Sequence, residues 1–102
     1  MMLPDESALT PDAGRDEIHA RLFEALVAQL GNMGLLFLGQ VPHPESGEQL
    51  HDPATAKEYI DQLEMLAAKT RGNLSAGESQ LLNQSIQHLH ALFAAALEDA
   101  AS

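Results

Sequence analysis

The chain has 102 residues, five Lys plus Arg against fifteen Asp plus Glu for a formal net charge of −10, and no cysteine. That length allows one domain at most, and the missing cysteines exclude disulfides and thiolate metal sites. A negative field of this size repels phosphate backbones and anionic lipid headgroups, so neither nucleic acid nor a membrane surface is an expected partner.

Residues 1–15 read as a disordered acidic tail, because Pro4, Pro11 and Gly14 interrupt any periodicity. The start, Met1-Met2-Leu3-Pro4-Asp5-Glu6, has neither the basic opening nor the continuous apolar core of a secretory signal, and a cytoplasmic protein is expected. The single helical domain should then occupy residues 16–100. Its first helix is expected over about 16–38. At about 100° of rotation per residue, Leu22, Phe23, Leu26, Leu30, Met33 and Phe37 share one face and form the expected core stripe. Ala28, Gly31, Gly34, Leu35 and Leu38 supply a second strip of small and apolar residues. A helix apolar on two sides is central in its domain or sits at a subunit interface. Glu24, Gln29, Gly31, Asn32 and Gly34 interrupt the run from Leu22 to Leu38, which falls short of the ~20 apolar residues that span a bilayer.

Gly39 to Asp52, with Pro42, Pro44 and Gly47, reads as an ordered loop anchored by Val41 and Leu50. Asp52-Pro53 starts a second helix over about 53–71, with Asp as cap and Pro at the first position, where its missing N–H costs nothing. Ala56, Tyr59, Ile60, Leu63, Leu66, Ala67 and Thr70 form its inward face; Glu58, Asp61 and Met65 point outward. The most informative stretch follows. In Lys69-Thr70-Arg71-Gly72-Asn73-Leu74-Ser75-Ala76-Gly77-Glu78, two cations suit a helix C-terminus, Gly72 suits a left-handed residue past its end, and Ser75 with Glu78 spells a capping box. The third helix, about 75–98, carries Leu82, Ser85, Ile86, Leu89, Leu92, Phe93 and Ala96 on one stripe. So short a connection makes helices two and three an antiparallel hairpin. The fold class is therefore all-α, three helices in a bundle.

The blocks Leu38 to Gly47, Ala56-Lys57 with Ile60-Asp61 and Glu64-Met65-Leu66, and above all Lys69-Thr70-Arg71-Gly72-Asn73-Leu74 resemble the bacterial domain of unknown function family 1844. The resemblance spans about Phe23 to Phe93. It implies a small cytosolic helical protein and brings no activity, cofactor or site residues. Two positions depart from the family pattern: His90 follows Leu89 where Arg is usual, and Gly77 stands where an acid is more usual.

Three places could carry chemistry. His43, Glu45, Glu48, His51 and Asp52 gather imidazole and carboxylate groups around the loop, a donor set for zinc or a similar ion, but without a recognised ligand spacing. Lys69, Arg71 and Ser75 could hold a phosphate or carboxylate at the corner, unless the cations serve helix two and Ser75 serves helix three. His88 and His90, two apart on a helix, diverge by about 160° and cannot share an ion. No nucleophile stands beside a base, so no catalytic residue, metal or cofactor is assigned, and no enzyme is expected. The leading expectation is an interaction protein that forms a homodimer through Ala28, Gly31, Gly34, Leu35 and Leu38, with a basic protein, such as a ribosomal or translation-linked one, as further partner. The alternative is a small-ligand or metal-binding protein, or an enzyme, using the His43 to Asp52 loop or the Lys69 to Ser75 corner.

Overall fold

The computed structural model describes residues 11–101, and among these it holds three α-helices and no strand: α1 Pro11–Phe37, α2 Pro53–Lys69 and α3 Ala76–Ala101. The helix starting at Pro11 corrects the expected tail for residues 11–15. Proline opens a helix without loss because its missing N–H would be unpaired there in any case. The rest of the expected tail, residues 1–10, lies outside the described residues. At the other end, α3 runs on past Glu98, where an end was expected.

The end of α1 is built around Gly39. Its φ is +76°, its amide donates to Leu36 O at 3.1 Å, and the Gln40 amide donates to Leu35 O at 2.9 Å. This is the Schellman arrangement, which satisfies carbonyls that the last helical turn leaves open. A Cβ at Gly39 would stand 2.7 Å from the Leu50 carbonyl oxygen, so only glycine lets the two ends of the loop approach this closely. The Asp52 amide donates to Phe37 O at 2.8 Å, and the rings of Phe37 and Tyr59 stack 6.0 Å apart at 6°. The end of α1 is thereby tied to the start of α2. Val41, expected as an anchor, is 39% exposed; Leu50 is half-buried. Backbone contacts at Gly39 and Asp52 replace the apolar anchor.

The Asp52 carboxylate caps α2, accepting from the Thr55 amide at 3.1 Å and the Thr55 hydroxyl at 2.8 Å. These two hydrogen bonds, the hydroxyl's first, hold its pKa below the usual value against a smaller opposing effect of burial. At the corner, Gly72 takes φ +85°, the Ser75 amide donates to Glu78 Oε1 at 2.9 Å, and the Glu78 amide donates to Ser75 Oγ at 3.1 Å. The capping box read from the sequence is formed.

The core collects Val27, Leu30 and Leu38 from α1 and its cap, Ala56, Ile60 and Leu63 from α2, and Leu82, Leu89 and Ala96 from α3. The inward faces of α2 and α3 match the expected stripes. That of α1 matches only in part: Leu30 is buried and Phe23 and Phe37 pack against the core, but Leu22 and Leu26 do not. Leu22 is 63% exposed and Leu26 40%, while Val27, which belonged to neither expected strip, is 1% exposed. The line α1 turns inward is Phe23, Val27, Leu30, Gly34 and Leu38, also at helical spacing but rotated away from Leu22 and Leu26. Gly34 sits on that line because a Cβ there would come within 3.1 Å of the Leu89 side chain; its small size admits α3 to α1.

Candidate functional site

The five residues expected to join two copies separate in the structure. Gly34 and Leu38 are buried, the one against Leu89 and the other in the central cluster, so both serve the protomer's own packing. Ala28, Gly31 and Leu35 remain accessible. With Val27, Asn32, Ser85, His88 and Leu89 they line a shallow groove of about 130 Å³ between α1 and α3. Its walls are mainly apolar, and its polar groups are one amide, one hydroxyl and one imidazole.

A second apolar feature occupies another side of α1. Ile18, Leu22 and Leu26 are 45%, 63% and 40% exposed, and their spacing of four residues sets them in one row. From Gly14 to Leu26 no residue is buried. Helical spacing assigns Leu22 and Leu26 to the core because a single helix shows which residues share a face but not which face its neighbours choose.

Two of the loop's candidate ligands, His43 and Asp52, are engaged locally. His43 Nδ1 accepts from the Glu45 amide at 3.1 Å and the Ser46 amide at 3.4 Å, which leaves the ring proton of a neutral imidazole on Nε2. The His43 amide donates to Glu48 O at 2.8 Å, and the Gly47 amide to His43 O at 2.9 Å. Asp52 is engaged by Thr55, and His51 is exposed. Among the described residues no group of three or more His, Asp or Glu is arranged to hold a metal ion. Of these side chains, His43 shapes a turn and Asp52 caps a helix.

At the corner, Lys69 and Arg71 are exposed, and a recess of about 210 Å³ is lined by Ala67, Thr70, Arg71, Gly72, Leu74, Ser79 and Asn83. The Thr70 hydroxyl is turned to Leu66 O at 2.6 Å. Ser75 lies on a separate polar cleft with Asp16, His19, Ala20, Asn73 and Glu78. The Glu78 carboxylate already occupies the Ser75 amide, and Asp16 adds a second negative charge. An anion there would meet two carboxylates.

The two C-terminal histidines diverge as their spacing requires. His88 faces the α1–α3 groove, whereas His90 Nε2 lies 2.6 Å from Glu64 Oε2 on α2, both side chains nearly half exposed. On α2, Lys57 Nζ donates to Asp61 Oδ1 at 2.8 Å, and that contact with its opposite charge raises the Lys57 pKa. No helix among the described residues is long and apolar enough to cross a membrane.

Comparison with known families and proteins agrees with the block pattern along the chain. The family described as Domain of unknown function (DUF1844) matches residues 20–95. No curated protein and no solved structure matches the chain.

Proposed function

The chain belongs to the DUF1844 family, and for this member we propose a noncatalytic interaction protein that works as a self-associated helical bundle. The observation that carries this reading is the side of α1 that α2 and α3 leave uncovered: a groove edged by Ala28, Gly31 and Leu35, and a row of Ile18, Leu22 and Leu26. A helix draws most of its stability in water from burying an apolar face, and α1 buries its own over only part of its length. Within the bundle α2 and α3 form an antiparallel hairpin. The pairing of Glu64 with His90, and of Ala67 and Thr70 with Ser79 and Asn83 around one recess, supports that order.

The noncatalytic reading is supported by what occupies the polar side chains. Ser75, Glu78 and Asp52 cap helices, and His43 organises its own turn. A bacterial, cytosolic setting suits a cysteine-free acidic chain. The net charge of −10 favours a basic protein as further partner, held by contacts that salt weakens.

Light scattering at micromolar concentration tests the self-association. A mass twice the protomer's 11.0 kDa is expected, and a monomer refutes it. Pull-down from the native cytosol at low and high salt tests the adaptor role. A stoichiometric basic protein released at high salt is expected; recovery of this chain alone argues against such a partner.

A further inference from the structure

We infer that two copies meet through Ile18, Leu22 and Leu26, their α1 helices running antiparallel with Leu22 on the twofold axis. The inference rests on the self-association proposed above and deepens it by assigning where the copies touch.

Thirteen consecutive helical residues, Gly14 to Leu26, contain no buried side chain, yet three large apolar residues stand exposed there in one row about 12 Å long. Phe23 packs against the core from the other side of these turns, and the row leaves a large apolar surface of the helix open to water. Three properties of the row point to a second copy as that cover. First, it is its own complement. Ile18 and Leu26 are equidistant from Leu22, so a twofold axis at Leu22 lays each Ile18 on the partner's Leu26 and the two Leu22 side chains on each other. A twofold contact needs only one patch, and this patch has the symmetry to supply it.

Second, charge permits pairing here. Between residues 15 and 25 lie Arg15 and Arg21 against Asp16, Glu17 and Glu24, one net negative charge in a chain that carries −10. Two copies that repel over most of their surface therefore meet near balance along this segment. Third, α2 and α3 dock on a different line, Phe23, Val27, Leu30 and Gly34, so pairing through the row disturbs neither. The groove at Ala28, Gly31 and Leu35 then stays open for another partner.

The absence of native cysteine makes single cysteines clean reporters. Leu22→Cys should convert to a covalent dimer on mild oxidation. Ile18→Cys and Leu26→Cys should each stay uncrosslinked alone but join into a mixed dimer when combined. Leu22→Glu should halve the mass seen by light scattering, whereas Leu35→Glu should leave it unchanged. A dimer that crosslinks through Ala28→Cys and not Leu22→Cys keeps self-association and overturns the row as its site. Ile18→Cys crosslinking to itself overturns the antiparallel order. A wild-type monomer overturns both the row and the reading it rests on. Leu22 is 63% exposed in the protomer, so its substitutions leave the core of the fold untouched.

Discussion

Replacing Gly39 by alanine should destabilise the fold by about 2–4 kcal/mol, and the structure separates two causes. The first is conformational. At φ +76° an L-residue pays roughly 1–2 kcal/mol. The second is steric: the new Cβ would lie 2.7 Å from the Leu50 carbonyl oxygen, backbone that cannot swing aside as a side chain can. Relief requires the loop end to withdraw, straining the bonds from the Gln40 amide to Leu35 O and from the Asp52 amide to Phe37 O. Losing one or two of them costs about 1 kcal/mol each. Gly72→Ala provides the control, because Gly72 has φ +85° but nothing within 4 Å of its would-be Cβ, so it should bear the conformational cost of roughly 1–2 kcal/mol alone. Urea denaturation of the three proteins at one protein concentration measures both, with unchanged slopes licensing comparison of midpoints. In a domain of this size Gly39→Ala should also lower Tm by at least about 8 °C. Equal destabilisation by the two substitutions would refute the argument that close approach of Leu50, rather than φ alone, demands glycine.

Leu63→Ala should cost about 2–5 kcal/mol because Leu63 is fully buried among all three helices, whereas Met65→Ala, two residues on and 47% exposed, should change stability by less than about 0.5 kcal/mol; thermal melts compare them directly. Gly77→Ala should stabilise by about 0.5 kcal/mol, since a Cβ there meets open space and alanine is the better helix former, and a higher urea midpoint is the readout. Asp52 binds protons less readily folded than unfolded, so its contribution is present above the unfolded pKa and disappears as pH falls through its lowered folded value. Asp52→Asn keeps a capping side chain but cannot titrate. Its stability should therefore decline less than that of the wild type between neutral pH and about pH 3, as followed by circular dichroism.

Much of the fold is legible without coordinates because its determinants are local. Asp52-Pro53 starts a helix by capping chemistry, Gly72 supplies a left-handed residue, and Ser75 with Glu78 pairs reciprocally, whatever else the chain does. The inward faces of α2 and α3 are equally local, since each carries one apolar stripe and leaves its neighbours no other surface to cover. Tertiary structure decides what these rules leave open. Periodicity draws two apolar strips on α1, and the buried line takes Phe23 and Leu30 from one, Gly34 and Leu38 from the other, and Val27 from neither. The choice of Phe23, Val27, Leu30, Gly34 and Leu38 follows from where the Gly39 cap, the Phe37–Tyr59 stack and the approach of Leu89 to Gly34 set α2 and α3. That same choice turns Ile18, Leu22 and Leu26 outward. Composition and spacing determine which side chains are present to bind something; only packing between helices determines which of them remain free to do so.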